Sequence, residues 1–160
     1  MRRFLQTTCL LLLLAPFPGC GVLGLRPYRN TGKSMEPTLH DGTRVLVSTT
    51  FYAHHPLEDG DLIVFRHNGT VLIKRLSGVP GEVIESRANV LYRDGRKQME
   101  PYVSSSEKVP DELATFPPRK LGSDELFVTG DNRAMSLDSR SPEFGTVRRA
   151  DVIGKFMGTY

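Results

Sequence analysis

Residues 61–76, DLIVFRHNGTVLIKRL, consist of two short apolar runs joined by an Asn-Gly pair. Asn and Gly tolerate the positive φ angles that a two-residue β-turn requires, and short runs rich in Val and Ile are typical of strands. The segment therefore predicts a β-hairpin with Asn68 and Gly69 in its turn.

Further short strands separated by turns are predicted along the rest of the chain. Strands are expected in 43–48, 78–85, 89–103 as a hairpin around Asp94-Gly95, 124–133 and 146–157. Residues 104–123 are polar and rich in Ser, Pro and charge, which predicts a long surface loop. Gly and Pro account for 15 and 11 of the 160 residues, and little outside the N-terminal segment has a helical period. We therefore expect one all-β domain, a small antiparallel domain of several hairpins.

The N-terminal segment begins with Arg2 and Arg3 and then carries no charge from Phe4 to Leu25. As an apolar helix, this stretch is long enough to cross a hydrocarbon core of about 30 Å. The two arginines would keep the N-terminus in the cytoplasm and place the following chain outside. We therefore divide the chain into a membrane anchor or signal-like segment, residues 1–25, and a β domain, residues 26–160.

Three other interpretations of the N-terminal segment stay open. Pro16 and Pro18 follow the strongest apolar run, Leu10 to Ala15, as they could in a cleaved secretory signal or a buried helix. Cys20 could instead mark the end of a lipoprotein signal. All of these except the buried helix deliver the β domain to the outer face of a membrane.

Charge and cysteine content limit the kind of site the β domain can hold. The formal charge of +3 is scattered along the chain, which favours a solvated surface over a nucleic-acid site. Cys9 and Cys20 both precede the β domain, so a disulfide framework, a cysteine metal site and a cysteine nucleophile are excluded there. We expect no nucleic-acid partner, no metal and no cofactor.

One lysine stands out in the predicted hairpin. Period-two alternation puts Lys74 on the same strand face as Leu72 and Leu76. Burial favours the neutral amine and lowers a lysine pKa, and a neutral amine can accept a proton from a serine hydroxyl. The alternative is a lysine whose stem packs while its ammonium reaches water. The strand alone leaves both interpretations open.

The histidines offer a weaker route to a proton acceptor. They sit in or beside turns, where we interpret them as exposed: His40, His54, His55 and His67. Spacing alone does not exclude a Ser-His-Asp triad that uses one of them.

Three stretches of the sequence together resemble motifs of bacterial type I signal peptidases. They are Ser34-Met35-Glu36-Pro37-Thr38-Leu39, then Lys74-Arg75, then Gly130-Asp131-Asn132-Arg133 followed by Ser136, Asp138, Ser139 and Arg140. Their order and separation also match, and the resemblance extends from the N-terminal segment to about Gly154.

The resemblance implies a Ser/Lys dyad. Ser34 would be the nucleophile, and Lys74 the general base that later protonates the leaving amine. Ser136 matches a serine that hydrogen-bonds to the lysine and orients it. The backbone N–H of Ser34 is the expected oxyanion donor. Gly32 occupies the position where many relatives add a hydroxyl donor, and it could instead permit a tight turn.

The same resemblance implies two ion pairs that support the dyad. Asp131 matches an aspartate that pairs with the arginine after the lysine, here Arg75. Asp138 and Arg140 match a second structural pair. From the residues alone, both aspartates would be interpreted as turn carboxylates.

The implied function is a membrane-bound serine endopeptidase that removes signal peptides from exported preproteins after a small-x-small sequence. Its expected partners are preprotein signal peptides and membrane lipid. We expect a monomeric single-pass protein of the cell membrane, with the catalytic domain on the outer face. The alternatives are a conjugative-transfer or other Ser/Lys peptidase of similar fold, a self-cleaving repressor, for which residues 1–30 leave no DNA-binding domain, or a non-enzymatic membrane-anchored β module.

Overall fold

The computed structural model describes residues 24–103 and 108–160, and these residues fold into two antiparallel sheets. The strands are β1 Leu25–Arg29, β2 Arg44–Ser48, β3 Leu62–His67, β4 Thr70–Gly78, β5 Val83–Arg87, β6 Val90–Arg93, β7 Arg96–Lys97, β8 Phe116–Lys120, β9 Glu125–Thr129, β10 Val147–Arg148 and β11 Val152–Thr159. A four-residue helix, α1, spans Asp111–Ala114, and 3₁₀ turns span Phe51–Ala53 and Arg149–Asp151. The all-β prediction is confirmed.

Strand order differs from chain order in the larger sheet. Its seven strands run β1-β2-β11-β3-β4-β9-β10, so β11 inserts between β2 and β3. The smaller sheet runs β7-β6-β5-β8. The sequence predicted most of these strands but neither β1 nor the insertion of β11.

The predicted hairpin forms from β3 and β4. His67 pairs with Thr70, and Ile63 pairs with Lys74. Asn68 and Gly69 have φ angles of 47° and 80°, the left-handed values that a two-residue type I′ turn needs. Its register places Lys74 in the middle of the larger sheet.

The prediction of a surface loop over 104–123 is wrong for residues 111–114, which form α1, and for residues 116–120, which form β8. Residues 104–107 lie outside the described residues, but α1 follows them and β8 then pairs with β5. Pro117 and Pro118 lack an N–H group, which is tolerated because β8 lies at the edge of the smaller sheet. Phe116 packs against Phe127, with ring centroids 5.6 Å apart.

The larger sheet is buried on both faces. One buried cluster contains Met35, Leu39, Val45, Val47, Leu62, Val64 and Ile73. The other contains Leu57, Ile63, Phe65, Leu76, Leu126, Val128, Phe144 and Val147. A third cluster, Ile84, Leu91, Leu121 and Phe127, joins the smaller sheet to β9. Met35 and Leu39 belong to the loop between β1 and β2, so the first cluster fixes that loop against the sheet.

The predicted N-terminal apolar helix falls almost entirely on residues 1–23, which lie outside the described residues. Leu25, the last uncharged residue of that segment, is the first residue of β1 and pairs with Ser48. Among the residues that the structure describes, no helix is long and apolar enough to cross a membrane.

Candidate active site

Ser34 lies in the loop between β1 and β2, and its surroundings hold the loop rigidly. The next residue, Met35, is fully buried, and its carbonyl accepts a hydrogen bond of 2.8 Å from the N–H of Leu39. The Asn30 side chain donates to the carbonyl of His40 at 2.9 Å across the base of the loop. The Ser34 hydroxyl is therefore presented from a fixed turn.

Lys74 reaches this hydroxyl from β4. Its Nζ donates to Ser34 Oγ at 2.5 Å, and the residue is only 5% exposed. Burial lowers the pKa of Lys74 from its usual value, and nearby Arg140 also lowers it, while Asp138 and Asp131 oppose the shift. Once Lys74 is neutral, the same contact lets the serine donate its proton to Nζ.

Ser136 lies beside the pair but does not make the expected hydrogen bond. Its Oγ is buried and has no hydrogen-bond partner within the described ranges, while Lys74 Nζ is directed at Ser34 Oγ. The predicted bond between Ser136 and Lys74 is therefore absent from this structure. An orienting role for Ser136 stays a prediction.

Gly130 brings the two serines together. A Cβ atom at this position would collide with the carbonyl oxygen of Ser34 and with the side chain of Ser136. The N–H of Asn132 donates to the same Ser34 carbonyl at 3.1 Å. The turn after β9 thus packs directly on the loop that carries Ser34, a role that the sequence analysis did not assign to Gly130.

The first supporting ion pair joins Arg75 and Asp131. Nε and Nη2 of Arg75 donate to Oδ1 and Oδ2 of the carboxylate at 2.8 and 2.6 Å, and both residues are buried. The Thr38 hydroxyl donates to Oδ2 at 2.5 Å. Because Thr38 belongs to the loop of Ser34, this bidentate pair also holds that loop. Sequence reasoning assigned no role to Thr38, since nothing in its spacing points to a partner at position 131.

The second ion pair joins Arg140 and Asp138. Nε of Arg140 donates to Oδ1 at 2.8 Å, and Nη2 donates to the carbonyl of Arg133 at 2.7 Å. The other carboxylate oxygen of Asp138 accepts the N–H of Gly130 at 2.8 Å. This pair therefore fixes the turn that packs on Ser34.

Gly32 has no free N–H group to offer as a second oxyanion donor in this structure. Its N–H donates to Asp41 Oδ1 at 2.8 Å and is thereby occupied. Its φ of +84° instead fits the tight-turn interpretation. The N–H of Ser34 has no hydrogen-bond acceptor in the described part of the chain, so it remains available.

A small cavity adjoins Ser34 and Lys74. Its volume is about 30 Å³, which is room for one water molecule or one small side chain. Its lining residues are Arg29, Asn30, Thr31, Ser34, Val71, Leu72, Ile73 and Lys74.

The strand that carries Lys74 also has a free backbone edge. Residues 70–75 of β4 pair with β3, but pairing with β9 begins only at Arg75. Among the described residues, no strand pairs with the other side of Thr70 to Lys74. An extended peptide could therefore add to the sheet beside the cavity.

The histidines contribute nothing to this arrangement. His40, His54 and His55 are exposed, and His67 stacks on Phe144 with ring centroids 4.1 Å apart. The Ser34 hydroxyl is hydrogen-bonded to Lys74 and not to a histidine. Within residues 24–103 and 108–160, no group of three His, Cys, Asp or Glu side chains is placed to hold a metal ion.

Comparison with known proteins places this geometry in context. A family model described as signal peptidase, peptidase S26, matches residues 1–160. Signal peptidase I T of Bacillus subtilis (strain 168) is 36% identical over 135 residues, covering 80% of this chain and 69% of that protein. Signal peptidase IB of Staphylococcus aureus (strain COL) is 37% identical over 143 residues, covering 81% and 74%. The crystal structure of a signal peptidase I from Enterococcus faecalis V583 is 33% identical with a TM-score of 0.52, and the match covers 64% of this chain and 98% of that one.

Proposed function

The chain belongs to the signal peptidase family, peptidase S26, and on that basis we propose that it is a membrane-bound serine endopeptidase that removes signal peptides from exported preproteins. We further propose that Ser34 and Lys74 form its catalytic dyad. The observation that carries this assignment is the 2.5 Å contact between Ser34 Oγ and the buried Nζ of Lys74. Buried lysines are costly, and this one has a serine hydroxyl as its immediate partner.

The proposed reaction uses one proton acceptor twice. Neutral Lys74 takes the hydroxyl proton as Ser34 Oγ attacks the scissile carbonyl carbon, and the ammonium then gives that proton to the leaving amine as the C–N bond breaks. A water molecule, deprotonated by Lys74, attacks the resulting ester, and the ammonium returns the proton to Ser34. The N–H of Ser34 supports the oxyanion in both tetrahedral intermediates.

Substrate selection follows from the free edge of β4 and the adjoining cavity. A preprotein segment that adds to residues 70–74 would be held by main-chain hydrogen bonds, with alternate side chains facing the enzyme. A cavity of about 30 Å³ beside Ser34 has room for a methyl group but not for a leucine side chain. These two features support cleavage after a small-x-small sequence.

The apolar N-terminal segment would keep the enzyme at its substrates. We propose that residues 1–25 anchor the protein in the cell membrane as a single-pass segment with a cytoplasmic N-terminus. Arg2 and Arg3 supply the charge asymmetry for this orientation. The catalytic domain, residues 26–160, would act as a monomer on the outer face, next to membrane lipid.

Cleavage of a preprotein by the purified full chain in detergent tests the function. We expect Ser34→Ala and Lys74→Ala each to lower kcat by about 10⁴-fold or more, with the fold retained by circular dichroism. The exposed Ser123→Ala and Lys97→Ala serve as matched controls and should cleave normally. Full activity in Ser34→Ala or Lys74→Ala would contradict the assignment of these residues as the catalytic dyad. A conjugative-transfer peptidase would be labelled at Ser34 by a serine-reactive probe but would leave the preprotein intact. A non-enzymatic module would be neither labelled at Ser34 nor able to cleave the preprotein.

A further inference from the structure

A buried arginine next to the candidate site takes its counter-charge from a distant part of the chain. Arg133 is 1% exposed, and its Nε donates to the carbonyl of Gly130 at 3.1 Å. Its Nη2 donates to Glu100 Oε1 at 2.5 Å. Glu100 lies in the segment that follows β7 of the smaller sheet, and its side chain is 10% exposed. A guanidinium buried to this extent is costly without its carboxylate.

Tyr102, in the same segment, contacts the other supporting arginine. The Arg75 guanidinium lies 3.7 Å from the centre of the Tyr102 ring, within the range of a cation–π interaction. The phenol donates to Glu100 Oε1 at 3.3 Å. Burial raises the pKa of Tyr102, which favours the neutral phenol that donates this hydrogen bond. One short segment therefore touches both Arg75 and Arg133.

Both contacts lead to the loop between β1 and β2 that carries Ser34, called here the nucleophile loop. Arg75 holds Asp131, whose carboxylate accepts the hydroxyl of Thr38 in the nucleophile loop. Arg133 holds the carbonyl of Gly130, and Gly130 packs on Ser34. Arg133 belongs to the turn that packs on Ser34, and Arg75 is paired with Asp131 of the same turn.

We propose that Glu100 and Tyr102 are positioning residues, through which the smaller sheet keeps Ser34 and Lys74 within hydrogen-bond distance. The inference rests on the proposed dyad and adds a specific role for the smaller sheet. Neither residue takes part in proton transfer; each acts through an arginine.

The expected effects follow from what each substitution leaves behind. Glu100→Gln keeps the shape of the side chain but removes the charge opposite Arg133. Tyr102→Leu removes the ring that contacts Arg75. Each substitution should slow acylation of Ser34 by about tenfold. Tyr102→Phe keeps the ring and should stay within about twofold of the wild type. A loosened site admits water to Lys74, and desolvation is the main cause of its lowered pKa. The acidic limb of the pH–rate profile should therefore move to higher pH in both slow variants.

The smaller sheet supplies matched controls for both substitutions. Glu85 is paired with Arg87 at 2.8 Å and its side chain is also 10% exposed. The same arginine lies 4.7 Å from the Tyr92 ring centre. Glu85→Gln and Tyr92→Leu therefore remove an ion pair and a ring contact made to Arg87, whose side chain is 62% exposed and which does not contact the candidate site, and should leave the labelling rate and its pH dependence unchanged.

The experiment measures the rate at which a serine-reactive β-lactam probe acylates Ser34, from pH 6 to 10. It uses the full chain in detergent, and mass spectrometry detects the adduct. Thermal unfolding of each variant gives the folded fraction. The inference would be overturned if folded Glu100→Gln and Tyr102→Leu were acylated at the wild-type rate with the wild-type pH dependence. It would also be overturned if unfolding alone accounted for the slower acylation. Because the probe needs no preprotein, labelled wild type that cleaves no preprotein contradicts only the substrate proposal. Unlabelled wild type would contradict the dyad and this inference together.

Discussion

The buried position of Lys74 makes the proposed mechanism dependent on pH at the level of a single residue. A protonated amine has no lone pair for the serine proton, so activity requires the neutral form. Burial lowers the Lys74 pKa from the usual value of 10.5, which brings the neutral form into a lower pH range. We expect kcat/KM for preprotein cleavage to rise about tenfold per pH unit up to that lowered pKa and then to level.

The pH measurement has two outcomes that would contradict a lysine base. One is a rate that does not change between about pH 5 and 9. The other is a midpoint near the ordinary lysine pKa of 10.5, which would mean that burial does not act on this amine. Circular dichroism across the same range controls for unfolding.

Gly130 gives a second prediction at the residue scale. In Gly130→Ala the new methyl group would overlap the carbonyl of Ser34 and the side chain of Ser136, so the nucleophile loop must move. We expect kcat to fall by about 100-fold or more, because a displacement of about 1 Å can have that effect on a reacting pair. Gly122→Ala is the control, since the atom nearest to its Cβ would be Glu125 Oε2 at 3.3 Å, a contact outside the loop of Ser34. Equal activities in the two variants would mean that the turn does not position Ser34.

The residues differ in how far their positions could be predicted. Period-two alternation singled out Lys74 by putting a charge on an apolar face, but only the resemblance to signal peptidase motifs gave it the role of a base. Thr38, Glu100 and Tyr102 were not identifiable, because their partners lie between 27 and 93 positions away and no local pattern encodes such contacts. Gly32 was considered as a second oxyanion donor, but its backbone N–H donates to the Asp41 side chain.

At the scale of elements, the β3–β4 hairpin depends on its turn. Gly69 has a φ of +80° with open space around its Cβ position, so Gly69→Ala meets backbone strain but no collision. We expect the free energy of unfolding to fall by about 1–2 kcal/mol. Urea unfolding measures this loss, and kcat well below the transition should stay near the wild-type value. A large loss of kcat in folded protein would mean that the turn shapes the site directly.

Elements with turn dipeptides and alternating residues were predictable, and those defined by distant pairing were not. Asn68-Gly69 and Asp94-Gly95 located two hairpins correctly. The segment of β8 was mistaken for a loop because two prolines argue against a strand, although an edge position accepts them. The placement of β11 between β2 and β3 depends on tertiary packing, which single-sequence patterns do not contain.

For the whole molecule, the predicted anchor has a direct test. If residues 1–25 span the membrane, the full chain expressed in bacteria should stay in the membrane pellet after alkaline carbonate extraction. Protease added to spheroplasts should then digest the β domain, because that domain would lie outside. The uncharged stretch can be disrupted by Leu12→Arg and Leu13→Arg together, which should release the protein into the supernatant. Release of the unaltered chain into the supernatant by carbonate would contradict a spanning anchor.

The position of β11 also affects when the enzyme becomes active. Ser34 precedes β2 and Lys74 follows β3, and the hydrogen-bonded sheet connects these two strands only through β11. The ribosome makes β11 after every strand that it joins. The larger sheet therefore closes only after β11 has been made, since no other strand of the described residues hydrogen-bonds to both β2 and β3. If Ser34 and Lys74 form the proposed dyad, we expect a chain that stops before β11 to be inactive.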